Sequence, residues 1–212
     1  QEDKYRGDGL NLYAYCANNP VYYVDPSGNS CEPKIKIYDV ARKEELKIYQ
    51  EARKKGFTAS QAYLLATHRN PLKGDIYLKN WKGEDIKIPK GHILSPRDLD
   101  FEKKPIVDKS KYTTNQRNEF LKGKAAGTKL SPHHRHQIPV RDGGVIDEIP
   151  GPGHPLGNQH TAGSPSRHPS KSIFNSEPNG NKLRADEIEQ HWKDKGNRLI
   201  EISPGIWIDP GV

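Results

Sequence analysis

Three of the chain's nine histidines fall within four residues, in Ser131-Pro132-His133-His134-Arg135-His136-Gln137-Ile138-Pro139, just ahead of a Gly143-Gly144 turn. An imidazole costs free energy to bury unless both ring nitrogens find partners. Such a cluster is seldom placed for packing; it suits metal binding or proton transfer. In an extended segment His134 and His136 point to one side and His133 to the other. At the entrance of a strand that rule loosens, and adjacent imidazoles can converge on one ion. The bland counterpart is a solvated turn or an adventitious metal-binding tract.

The elements that must position these groups are short. Seven of the nine histidines lie in 131–212. Gly, Pro, Ser and Asn dominate 141–182, which predicts loop. A helix is expected over about 184–195, RADEIEQHWKDK, stopped by Gly196. The end, RLIEISPGIWIDPG, predicts two short strands around Pro204-Gly205. Residues 31–130 form a basic, mixed part. There Asp39 is expected to cap a helix over 40–55 closed by Gly56, and Thr58 one over 59–68 with Ala62, Leu65 and Ala66 on one face. Short strands are expected in DIYLKNW and EDIKIPKG, and Thr114 should open a helix through NQRNEFLKGKAAG. The expected class is α+β, small and loop-rich.

Composition narrows the chemistry. Hydrophobic residues make up 32% of 212, while Gly (19) and Pro (17) together number 36, so the core should be small and should lean on a metal or a partner. A net charge of +7 and a pI near 9.2 favour polyanions, nucleic acid first, although a solvated Lys-rich surface looks the same. The same field would attract an acidic protein inhibitor. The chain lacks Met and is expected to be a piece of a longer product. No apolar run reaches the length of a membrane span and no signal peptide is seen, so any export signal is expected upstream. Cys16 and Cys31 are expected as free thiols. The absence of a CxxC with a nearby His-x-Glu argues against a zinc deaminase, and the absence of GxxxxGK[ST] against a P-loop NTPase.

Residues 6–28, RGDGLNLYAYCANNPVYYVDPSG, resemble the last repeat of the Rhs/YD-repeat core, a β-shell that encloses a variable C-terminal toxin. The resemblance implies that 1–30 is the end of that shell and that Asp25-Pro26-Ser27-Gly28 marks the border. Asp25 would then belong to the self-cleaving aspartyl site and the cut would fall near Asn29; the first DPxG motif is degenerate, with Lys4 after Asp3. It also implies an exported effector that acts in the cytoplasm of competing bacteria. A cognate immunity protein would neutralise it.

SPHHRHQIP in turn resembles the first strand of the HNH, or ββα-metal, nucleases, including variants with an SHH or GHH signature. The resemblance implies a ββα-metal core in 131–212, with His133 as ligand of a divalent ion (Mg²⁺, Zn²⁺ or Ni²⁺) and His134 as general base. Asn158 would hold that base in its working tautomer, and His160 and His168 would complete the metal set. Arg135, Arg141 or Arg167 would clamp phosphate. The pattern departs from the family after the second strand, where TAGSPSRHPSKS shows no helical periodicity. That leaves His136, His154 or His191 as substitute ligands, although His191 also reads as an ordinary helix residue beside Trp192. Isolated His68 and His92 read as surface residues.

The expected activity is metal-dependent hydrolysis of DNA phosphodiesters. One alternative is a metal-independent ribonuclease that uses His134 with His160, His168 or His191 as base and acid. Another is a binding or pore-blocking effector whose histidines are structural.

Overall fold

The computed structural model describes residues 43–169 and 172–211, together with two short strand pieces nearer the N-terminus. Those pieces, β1 (Tyr23–Val24) and β2 (Glu32–Pro33), pair antiparallel. Asp25, Asn29, Asp39, Cys16 and Cys31 lie outside the described residues, as does the Tyr-rich run before Tyr23. The protein is α+β, with four α-helices and several small sheets among the described residues. No helix among the described residues is long and apolar enough to cross a membrane.

The chain divides into two compact units, one of residues up to Ile76 with Pro89–Gly91, the other of Tyr77–Ile88 with His92–Val212. In the first unit, helix α1 (Lys43–Lys54) precedes α2 (Ala59–Thr67). Gly56 takes φ +88°, a backbone state that L side chains rarely adopt, and separates them. Thr58 forms a reciprocal capping box with Gln61, the feature that makes it a helix start, and removing such a cap costs ~1 kcal/mol. The buried face of α2 is Ala62, Leu64 and Ala66; Leu65, expected there, is half-buried. His68 closes this helix in the left-handed conformation instead of standing on an open surface.

The second unit carries the histidine cluster. Strands β3 (Ile76–Lys79) and β4 (Asp85–Ile88) form a hairpin. β5 (Lys111–Thr113) leads into α3 (Thr114–Leu121), again opened by a capping box, between Thr113 and Gln116. This helix ends sooner than its sequence suggested because Gly123 adopts φ +77°.

β6 (Leu130–His134) and β7 (Ile146–Pro150) pair antiparallel, with His133 opposite Asp147 and His134 opposite Ile146. β7 falls where loop was expected. Its Ile-Asp-Glu-Ile run has acidic residues that are buried in ion pairs, which hides the apolar pattern of a strand.

α4 (Gly180–Arg198) is longer than expected and runs through Gly196. There a Cβ would sit 2.8 Å from the backbone nitrogen of Leu121, so Gly196 allows α3 and α4 to meet closely and is not a stop. β8 (Ile200–Ser203) and β9 (Ile206–Ile208) follow as a hairpin around Pro204-Gly205, and β9 also pairs with β5.

Tyr112, Phe120, Leu130, Trp192 and Leu199 form one apolar core. It draws on β5, α3, β6 and α4, so residues of the basic 31–130 part share a core with the His-rich region. Under it lies a buried charge network. Glu148 on β7 accepts from Lys195, fully buried with it, and from His191 at 3.1 Å. Burial would raise the Glu148 carboxyl, but the His191 hydrogen bond and the Lys195 charge hold it below its ordinary value. The cluster locks α4 across the β6–β7 hairpin. Breaking one partner of such a pair typically costs ~3–5 kcal/mol.

Candidate metal centre

His133 and His134 are successive residues near the end of β6, so their side chains leave the strand on opposite faces. The His133 ring is 1% exposed and its Nε2 lies 2.6 Å from Asp98. Asp98 ends a short 3₁₀ turn, Pro96–Asp98. Burial alone would raise its carboxyl, but the hydrogen bond and charge of His133, with His136 and Arg167 behind, bring it down to about 2. Asp98 is therefore an anion and can only accept. The Nε2 of His133 carries the proton, and its Nδ1 lone pair is left for an ion. A carboxylate behind a histidine is the usual support of a metal ligand.

His160 and His168 come from the long loop between β7 and α4. Residues 151–169 of that loop contain no helix or strand; side chains fix them instead. Arg97 donates to the carbonyls of Ala162 (2.8 Å) and Gln159 (3.2 Å), and Arg167 donates to Gln159 O (2.9 Å) while pairing with Asp98. The N–H groups of Gln159 and His160 donate to Pro150 O, at 2.7 and 3.2 Å.

The result is a triangle of imidazoles, His133, His160 and His168, with ring centroids 5.1–5.2 Å apart. Each offers a ligand nitrogen, and these atoms lie within 4.8 Å of one another. This group of three histidines could hold a metal ion. Burial lowers His160 to about 4, helped by the charges of His133 and His168, and burial lowers His168 as well. Both stay neutral near pH 7, the form that ligates.

On the other face, the Nε2–H of His134 donates to Glu187 on α4 at 2.9 Å, and its ring packs edge-on against Phe174. Glu187 also accepts backbone N–H groups from Val140 (3.1 Å) and Arg141 (3.3 Å). Burial opposes its ionisation, but these donors hold its carboxyl below the ordinary range. With Nε2–H engaged, the basic nitrogen of His134 is Nδ1. His134 and the three clustered histidines line one cleft of about 360 Å³, together with Ser131, Gln137, Phe174 and Arg184.

Several expected roles do not survive this geometry. Asn158 does not reach His134: its amide donates to Thr161 and its carbonyl oxygen accepts from His160 N and Thr161 N, so it shapes the loop, and it is Glu187 that meets the His134 ring. Arg135 is buried, bidentate on Asp147 at 2.8 and 2.9 Å, and donates to the Asp100 carbonyl, which leaves it no donor for phosphate. Arg167 is spent on Asp98 and Gln159, and exposed Arg141 pairs with Glu177 at 2.6 Å.

His136 leaves the strand in a left-handed turn (φ 55°), stacks on Phe101 and accepts from Ser95 N at 3.1 Å. His154 accepts from Leu156 N in its own turn and His191 serves Glu148, so neither substitutes as a ligand. His92 is buried, bonded through Nε2 to the His136 carbonyl, and is not a surface residue.

Sequence reasoning missed Asp98, Glu187 and Arg184. Nothing local marks Asp98, 35 residues before His133. For the other two there was a signal: Arg184, Glu187 and His191 recur at i, i+3 and i+7 in a segment already expected to be helical, which places them on one face.

No protein-family model, curated protein or solved structure matches the chain.

Proposed function

We propose that the protein is a metal-dependent phosphodiesterase of the HNH type, a nuclease whose ββα unit is β6, β7 and α4. The observation that carries the reading is the joint presence of a three-histidine ligand triangle and a carboxylate-oriented histidine on one cleft. Three imidazoles suit Zn²⁺ or Ni²⁺ better than Mg²⁺, which prefers oxygen donors. Three protein ligands leave a position open, as catalytic sites require. A divalent ion held there would neutralise phosphate charge and stabilise the leaving oxygen.

The chain's own groups do the rest. His134 Nδ1 takes a proton from the attacking water, and Glu187 stabilises the imidazolium that forms. Asp98 holds the His133 ring in its ligating tautomer. Phe174 covers the base on one side and fixes its plane.

The setting follows from the N-terminal resemblance. On that reading the domain is the toxin of an Rhs protein, freed after the Asp25 border, exported and active on the DNA of competing bacteria. Its basic surface would take an acidic immunity protein.

The test is plasmid cleavage by the purified chain with Zn²⁺, Ni²⁺ or Mg²⁺, with chelator, and as His134→Ala. Cleavage only with metal, lost in the variant, is the expected result. An intact plasmid under every condition with RNA degraded in chelator would assign the histidines to a metal-free ribonuclease.

A further inference from the structure

Among the described residues the cleft beside the histidine triangle has no acidic side chain in its lining, whereas another cleft of this unit, beside Trp81, is lined by Glu84, Glu187 and Asp194 as well as Lys82 and Arg198. The histidine cleft therefore favours an anion, and the question is which cation meets it. Arg135, Arg141 and Arg167 are each neutralised by a carboxylate: Asp147, Glu177 and Asp98 respectively.

Arg184 differs. It lies on the second turn of α4, is exposed, and lines the cleft. Its Nη2 donates to the neutral amide oxygen of Asn181 at 3.2 Å, and no carboxylate pairs with it among the described residues. The azimuth of α4 is set one turn later, where Glu187 binds His134. Residues three apart share a helix face, so that bond also directs Arg184 to the cleft.

We infer that Arg184 is the guanidinium that seats a backbone phosphate of the nucleic-acid substrate beside His133, His160 and His168. The inference rests on the nuclease reading and adds the residue that holds the strand. A planar guanidinium meets two phosphate oxygens at once, and its weak tether to Asn181 is easily exchanged for them.

The experiment is binding of a short fluorescent DNA duplex to the full chain in chelator, where no strand is cut, followed by anisotropy across a salt series. Arg184→Ala should weaken binding about tenfold and lower the slope of log affinity against log salt by about one. Arg184→Lys should recover the slope and only part of the affinity. Zn²⁺ stoichiometry and melting temperature should match the parent in both variants, since Arg184 is exposed and is not a ligand. Unchanged affinity and slope in Arg184→Ala would overturn the inference and leave the nuclease reading standing. A parent chain that binds no duplex at any salt would overturn both. Normal binding by the parent without cleavage under any metal would sink the nuclease reading alone.

Discussion

His134 donates its Nε2–H to Glu187 across 2.9 Å, from the end of a strand to the middle of a helix 53 residues later. The carboxylate fixes both the ring plane and the tautomer, so on the proposed nuclease reading its loss should slow proton transfer more than it weakens substrate binding. Glu187→Ala is expected to lower kcat about 10- to 100-fold with KM nearly unchanged. The ¹⁵N resonances of the His134 ring should then change from a pure Nε2–H pattern to a tautomer mixture. A parent spectrum already showing a mixture would refute the role given to Glu187. Some stability will go as well, about 1 kcal/mol for each lost hydrogen bond from Val140 and Arg141.

Asp98 plays the corresponding part for His133, but toward the ion that the triangle could hold. Asp98→Asn keeps the size and removes the charge that fixes the Nε2–H. Zn²⁺ affinity, read by competition with a chromophoric chelator, should fall about 10- to 100-fold. Asn158→Ala, by contrast, should leave affinity within a few-fold, because that side chain shapes only its own turn. Equal losses in the two variants would contradict this division of labour.

Much of the framework was legible because its signals are local. Both capping boxes, the hairpin at Pro204-Gly205 and the His-His pair near a strand end are written within four residues of where they act. His160 and His168 are named as ligands through the resemblance to the HNH nucleases, because nothing in their own loop marks them as a pair. What escaped was long-range compensation. Asp147 and Glu148 read as polar loop, yet each is buried because Arg135 and Lys195 meet it. Asp98 and Glu187 are ordinary surface residues by type and become parts of the site through contacts 35 and 53 positions away. His136 shows the reverse error: proximity in sequence suggested a ligand, and a left-handed turn at the strand's end sends it into the core instead.

That buried His136 gives the fold an acid limit. Burial lowers it to about 3 from an ordinary value of 6.5. The unfolded chain thus binds a proton that the folded one refuses throughout that window, and stability falls as pH drops through it. Glu148 acts in the same direction lower down: its contribution is present above its ordinary value of 4.5 and is lost as pH falls through the depressed folded value. The urea midpoint should decline steadily from pH 7 to pH 4. His136→Asn tolerates the left-handed backbone and can still accept from Ser95, so it should flatten the upper part of that decline. An unaltered slope in the variant would show that His136 is not the group responsible.

Gly196 separates two accounts of α4. As a helix stop it would be replaceable, and Ala, better in a helix by about 1 kcal/mol, would stabilise the chain. At the observed crossing, however, an added Cβ would meet Leu121 backbone nitrogen at 2.8 Å and Leu121 Cγ at 3.0 Å. The side chain can yield, but the backbone of α3 cannot without disturbing Phe120, which is fully buried against Trp192 with ring centroids 5.5 Å apart. Overpacking of this kind costs about 1–3 kcal/mol, and each kcal/mol moves the melting temperature of a chain this size by roughly 2–4 °C. Gly196→Ala should therefore melt several degrees lower, while the neighbouring exposed Asn197→Ala should melt at or above the parent. If both alanines raise the melting temperature, α3 and α4 do not meet closely at Gly196, and the helix that carries Arg184 and Glu187 is held by Trp192 in the core and by its ion pairs.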